Sequence, residues 1–161
     1  MGEVLSLVAA PDGRALWVSV HSGVTRHDVA SLLEGGTGEP DPLVEGWTED
    51  LAISADGSRI AVMRPRDGVE VFTLDEGRPR KVQTMRGPGR IAKLALTADG
   101  ERLVAGAWRG RGIRAWNAST GDVLFDRLSE HRQALATFDA AGELVLAGVA
   151  YARVTYGPDG Q

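Results

Sequence analysis

The residues with the widest chemical range in this 161-residue chain are its three histidines, His21, His27 and His131. A metal site needs at least three ligands that converge with suitable acids. These histidines stand far apart in the chain, without ligand spacing, so no metal site is expected. Ser22 follows His21, but no nucleophile elbow surrounds it and no acid completes a triad. The carboxylate pairs Glu49-Asp50 and Asp75-Glu76 fall at loops. General acid–base work on a glycosidic or lactone bond would need acids or metal ligands lining one shared channel. Gly35-Gly36-Thr37-Gly38 lacks the Lys and the helix of a phosphate loop, and reads as a flexible connection ending in Pro40-Asp41-Pro42. Cysteine is absent, which excludes disulfides, thiolate catalysis and cysteine-bound zinc, and fits a reducing compartment such as the cytoplasm. No catalytic residue, metal or cofactor is therefore expected. What remains is recognition chemistry: arginines, which grip carboxylates and phosphates through paired hydrogen bonds, and tryptophans, which offer rigid apolar area.

Those side chains must be held by something, and the chain repeats itself. Four turns, Pro11-Asp12-Gly13, Ala55-Asp56-Gly57, Ala98-Asp99-Gly100 and Ala140-Ala141-Gly142, place their glycines 44, 43 and 42 residues apart. That period suits four short strands and four turns per unit. The positions six and four before each glycine are Leu7 and Ala9, Leu51 and Ile53, Leu94 and Leu96, Ala136 and Phe138. Two-residue spacing of apolar side chains marks one face of a strand. Three residues after each glycine stand Leu16, Ile60, Leu103 and Val145, each opening a second apolar strand. Asp-Gly between two such runs is a hairpin signal. A third strand ends in a column of rings, His27, Phe72, Trp116 and Tyr156, expected to pack between neighbouring units. A fourth, more polar strand is expected at 43–45, 81–83 and 123–125, as suits a sheet edge. The last repeat stops at Gln161 before any such strand.

Read in register, these repeats resemble the WD40 family. The third follows its pattern best, with Leu94-Ala95-Leu96-Thr97-Ala98-Asp99-Gly100, Leu103-Val104-Ala105-Gly106, Ile113-Arg114-Ala115-Trp116-Asn117 and Thr120-Gly121. The family's Trp-Asp pair survives only as Trp116-Asn117 and His27-Asp28. No clear Gly-His precedes the inner strands; His131 lies off the expected spacing, and Asp67 is one match for the Asp before the third strand. The resemblance implies an all-β fold, a β-propeller array of about four blades made of four-stranded antiparallel sheets with the last blade incomplete. The blades would span about 1–46, 47–88, 89–131 and 132–161, with divergent, bacterial-style repeats. Propellers close with about four to eight blades. Three arrangements follow: two copies forming an eight-bladed ring, a piece of a longer propeller, or a small four-bladed ring.

Strand order sorts the loops onto two ends of such an array. Turns between second and third strands share one end with the links between blades. That end collects Arg64, Arg66, Arg86, Arg90, Arg109, Arg111, Arg132, Trp47, Trp108 and Tyr151. The other collects Asp12, Asp28, Asp56, Asp75, Glu76, Asp99 and Asp122. A basic, aromatic face on a chain of net charge −4 points to a protein partner, through an acidic or phosphorylated segment. Nucleic acid is disfavoured by the overall charge and the acidic opposite face. The apolar run from Val4 to Ala10 lacks a basic flank and reaches no membrane-spanning length, so neither a signal peptide nor a membrane is expected. A non-catalytic interaction scaffold or sensor is the expected role, with a lactonase- or hydrolase-type propeller enzyme and a truncated regulatory protein as the alternatives.

Overall fold

The computed structural model describes residues 3–36, 40–66, 68–75, 78–110, 112–127, 134–139, 141–148 and 153–156. The first antiparallel sheet holds β1 (Val4–Ala9), β2 (Ala15–Val20), β3 (Gly23–Asp28) and β4 (Asp41–Glu45), with one short helix, α1 (Val29–Leu33), between the last two. The second holds β5 (Asp50–Ile53), β6 (Arg59–Arg64), β7 (Gly68–Asp75) and β8 (Arg78–Arg86). The third holds β9 (Gly89–Leu96), β10 (Arg102–Gly110), β11 (Ile113–Asn117) and β12 (Val123–Arg127). The last has three described strands, β13 (Ala134–Phe138), β14 (Leu144–Gly148) and β15 (Arg153–Tyr156). Every strand pairs with its neighbour in sequence, as a β-propeller blade requires.

The hairpins form where local chemistry demands them. Gly13, Gly57 and Gly100 take φ of 69°, 72° and 69°, a region that costs other residues a steric clash. Asp12, Asp56 and Asp99 each accept the backbone N–H two residues on, closing an Asx-type turn. Ser54 and Thr97 brace the same carboxylates with their hydroxyls. In all three repeats the residue four before the glycine pairs with the one three after it: Ala9 with Leu16, Ile53 with Ile60, Leu96 with Leu103. The fourth repeat departs from this spacing. Phe138 pairs with Leu144, so Leu144 rather than Val145 matches the earlier strand starts. The cause is a tighter turn in which Asp139 takes over the role of the missing aspartate, accepting from the N–H groups of Ala141 and Glu143.

The inner strands β1, β5, β9 and β13 stand side by side in that order, and apolar side chains fill each junction between sheets. Trp17, Val24 and Val44 of the first sheet meet Leu51, Ile60, Val62 and Phe72 of the second. Ala61, Met63 and Val71 of the second meet Leu94, Leu103 and Trp116 of the third. Val104, Ile113 and Ala115 of the third meet Ala134 and Ala136 of the fourth. The third and fourth sheets pack closely at Gly106, where a Cβ would lie 2.0 Å from the Ala134 carbonyl oxygen. Phe72 and Trp116 of the ring column are buried as expected. His27 is half-buried and bonds to Thr25 Oγ1 at 3.1 Å, on the face of the first sheet turned away from the second.

Candidate binding face

Two links carry the candidate face, and both are tied down by side chains from the sheets. In the first link Thr48 is wholly buried, its hydroxyl donating to Val20 O and Gly23 O and lying 2.8 Å from Ser19 Oγ. Arg64 donates from Nη1 to the carbonyls of Gly46 and Trp47, and its Nε pairs with Glu70 at 2.7 Å. Lys81 reaches the other Glu70 oxygen at 3.0 Å. Burial works against the Glu70 charge, but the hydrogen bonds and charges of Arg64 and Lys81 outweigh it and hold this carboxyl below its ordinary range. The second link is held alike: Arg114, paired with Asp126, donates from Nη1 to the Arg86 carbonyl. Arg114 occupies in the third sheet the place of Glu70 in the second.

On this frame Trp47 stands half-exposed, its ring edge-on to His21 with centroids 4.6 Å apart. Trp108 is also half-exposed, within the second of two irregularities in the β9–β10 ladder. Trp47 and Trp108 line one cleft of about 370 Å³, together with Leu5, His21, Glu49 and Arg90. A second cleft of about 260 Å³ shares Glu49, Met63, Arg90 and Ile91 with it and adds Arg64 and Arg66. Five of the residues singled out from sequence, Trp47, Arg64, Arg66, Arg90 and Trp108, thus line two clefts with common walls. Arg66 is exposed and holds φ at +63°, an unusual conformation for a residue with a side chain. Arg109 lies opposite Arg90 in the β9–β10 ladder. Arg86 is exposed at the end of β8, outside both clefts. Arg111, Arg132 and Tyr151 lie outside the described residues, as do Asp67, Glu76 and His131.

Sequence reasoning missed His21 and Met63 as cleft walls and misplaced two acids, for Asp75 closes β7, paired with Arg78 of β8. Asp50 is not a loop residue; it opens β5 and is buried, where its carboxylate accepts Lys93 Nζ at 2.8 Å and the Leu94 amide at 3.0 Å. The pairing spans more than forty residues of chain, so no local pattern announces it. His21 is legible only through its edge-on contact with Trp47. Neither cleft wall includes a set of acids, and no group of three or more metal-ligating side chains occurs among the described residues.

At the opposite end the aspartates serve the backbone. Asp28 caps α1 by accepting from the Ser31 amide, and Asp122 braces its turn by accepting from the Thr120 hydroxyl. The Thr97 hydroxyl and the Glu101 amide hold Asp99 below its ordinary range. Around Asp56 slight burial opposes the charge, and hydrogen bonds from Ser54 and Ser58 prevail and lower it. This end carries negative charge in ordered turns, whereas the clefts carry arginine and indole beside a single carboxylate, Glu49.

No protein-family model matches the chain. An uncharacterized WD repeat-containing protein of Synechocystis sp. is 30% identical to it over 125 residues, which cover 76% of this chain and 34% of that protein. The chain therefore spans about a third of the length of the curated relative it matches. Among solved structures, the β-propeller domain of Cps50 (Swd1) of Myceliophteria thermophila aligns with 96% of this chain and 53% of its own, at a TM-score of 0.74 and 14% identity. A candidate 6-phosphogluconolactonase from Bacteroides uniformis aligns over 98% and 51%, at a TM-score of 0.69 and 17% identity. Hydrazine synthase of Kuenenia stuttgartiensis aligns over 95% and 53%, at a TM-score of 0.66 and 14% identity. At such identities the solved structures share the fold alone.

Proposed function

Because this chain is an array of WD40-type β-propeller blades, we propose that it is a non-catalytic interaction module of the cytoplasm that binds an acidic or phosphorylated protein segment across the end bearing Trp47, Arg66, Arg90 and Trp108. The observation that carries the reading is the shared wall of the two clefts. Arg90 stands between two half-exposed indoles on one side and Arg66 on the other. An indole left half in water gains by covering its ring, and a guanidinium beside it supplies direction and charge. Arg109, opposite Arg90 in the β9–β10 ladder, and Arg111, close to it in sequence, are assigned to the same end on sequence grounds. Arg64 acts differently in this reading. With Nε on Glu70 and Nη1 on two link carbonyls, it fixes the loop that presents Trp47.

An acidic partner also fits the separation of charge between the two ends. A carboxylate- or phosphate-bearing segment is drawn to the arginine end and repelled by the aspartate turns opposite, which fixes its orientation before contact. The test is capture of phosphorylated and acidic peptides by the immobilised chain. Reversing Arg90 and Arg66 together, or Arg109 and Arg111 together, to glutamate is expected to abolish capture. Undiminished capture by both double variants would refute the assignment of this face.

A further inference from the structure

The junction between the first and second sheets breaks a rule that the next two junctions keep. Ala10, Ser54 and Thr97 donate their backbone N–H groups to the carbonyls of Ala15, Arg59 and Arg102, which makes these last three positions equivalent. Arg59 and Arg102 each lie over the turn glycine of the following sheet. A Cβ on Gly100 would meet Arg59 Cδ at 3.0 Å, and Arg102 Nη2 donates to the Gly142 carbonyl at 2.9 Å. The first sheet has Ala15 in that place. A Cβ on Gly57 would accordingly meet nothing nearer than Pro11, at 3.8 Å, among the described residues.

The space that the arginine would fill is a cleft of about 310 Å³ between the two sheets, beside the aspartate turns. It shares no wall with the clefts of the opposite end. Its lining departs from the other junctions as well. Trp17 pairs with Arg26 across the β2–β3 ladder, where Ala61 pairs with Val71 and Val104 with Ala115. Those four are buried apolar side chains. Here an indole and a guanidinium replace them, and both line the cleft. Trp17 is 3% exposed, and its buried Nε1–H has no acceptor among the described residues. Arg26 is half-buried, and its guanidinium forms no hydrogen bond or ion pair among them, although Asp41 lies opposite it on β4. An unmet buried donor is costly, so a ligand that brings an acceptor to it gains accordingly.

We propose that this cleft binds a free amino acid with a basic side chain, its carboxylate taken by Trp17 and Arg26 and its cationic groups by Asp12 and Asp56. A guanidinium and an indole N–H side by side on one sheet suit the two oxygens of a carboxylate. Asp12 and Asp56 line the same cleft, and two carboxylates against one guanidinium favour a ligand of net positive charge. Asp12 spends one oxygen on the Arg14 amide, which leaves the other for an ammonium group. A phosphate or a dicarboxylate would set a second negative charge against these acids. Ile53 and Leu74 supply apolar wall for the aliphatic stem. The volume is at the small end for ligand sites, which suits a metabolite.

The test reads the indole itself. The four tryptophans give four Nε1–H signals in a nitrogen-15 correlation spectrum, and Trp17→Phe identifies the one from Trp17. Titration with L-lysine should shift that signal saturably, with a dissociation constant of about 1 mM or tighter, and leave those of Trp47 and Trp108 in place. Glutarate and inorganic phosphate should not shift it. Arg26→Val, which installs the residue type of Val71, should weaken lysine binding at least about ten-fold. Ala15→Arg, which restores the arginine of the other junctions, should fill the cleft and abolish the shift while the rest of the spectrum stays dispersed. A Trp17 signal unmoved by about 20 mM lysine would overturn the proposal. So would an equal response to glutarate or phosphate, or a lysine response that survives unchanged in Arg26→Val.

Discussion

Asp50 and Lys93, 2.8 Å apart between carboxylate oxygen and ammonium, pin the second sheet to the third at the inner strands. The same carboxylate holds the Leu94 amide with its other oxygen, so one side chain fixes both the spacing and the height of two neighbouring blades. Asp50 is buried while Lys93 remains half-exposed, and the hydrogen bonds offset the cost of burying the charge. Asp50→Ala leaves the Leu94 amide unsatisfied and is expected to cost about 1–3 kcal/mol in urea unfolding. Lys93→Met, which keeps the stem and leaves the Leu94 bond intact, should cost distinctly less. Equal losses would place the stabilisation in the ion pair alone.

Gly106 lets the third and fourth sheets touch. A Cβ there meets backbone, the Ala134 oxygen at 2.0 Å, not a side chain that can swing away. Gly106→Ala is therefore expected to destabilise by about 1–3 kcal/mol through overpacking, with the damage concentrated on β13. Hydrogen exchange should show β13 amides losing protection before those of β5 and β6. Uniform loss along the chain would show the fourth sheet to be no weaker than the rest.

The carboxyl of Glu70 sits below its ordinary value of 4.5. A group whose folded pKa is lowered contributes stability that is fully present above its unfolded pKa and is lost as pH falls through the folded one. Glu70→Gln should consequently lower the urea midpoint near pH 6, and the gap to wild type should close as the pH falls below about 4. A gap that stays constant from pH 6 to pH 3 would show that Glu70 acts through shape and not through charge. Because Arg64 links Glu70 to the Trp47 carbonyl, the same substitution should also red-shift the Trp47 emission near neutral pH.

The repeat was plain in the sequence because its determinants are local. Asp-Gly turns and two-residue alternation announce themselves within ten residues, and strand order then sorts loops onto two ends. Three features escaped for a physical reason. The Asp50–Lys93 pin joins residues of distant repeats, and nothing near either one marks the partner. The fourth turn is shorter because Asp139 caps it, a substitution hidden by the shared glycine. Helix α1 fills part of a connection read as a plain loop, because Asp28 caps a helix beginning at Val29. The arginines were found by type, but type does not reveal which are spent: Arg64 looks like Arg66 in sequence, yet is bound to Glu70 and two carbonyls.

The most direct test of the binding face uses the protein's own fluorescence. Of four tryptophans, Trp17 and Trp116 are buried, and Trp47 and Trp108 are 52% and 49% exposed on the shared cleft. The measurement is titration with a pool of short peptides bearing a central phosphoserine among aspartates and glutamates, with a lysine-rich pool as control. The account predicts a saturable blue shift and reduced iodide quenching with the acidic pool alone, weakened by salt and at least about ten-fold weaker in Arg90→Glu. Unchanged emission and quenching at saturating acidic peptide, or equal affinity in Arg90→Glu, would contradict it.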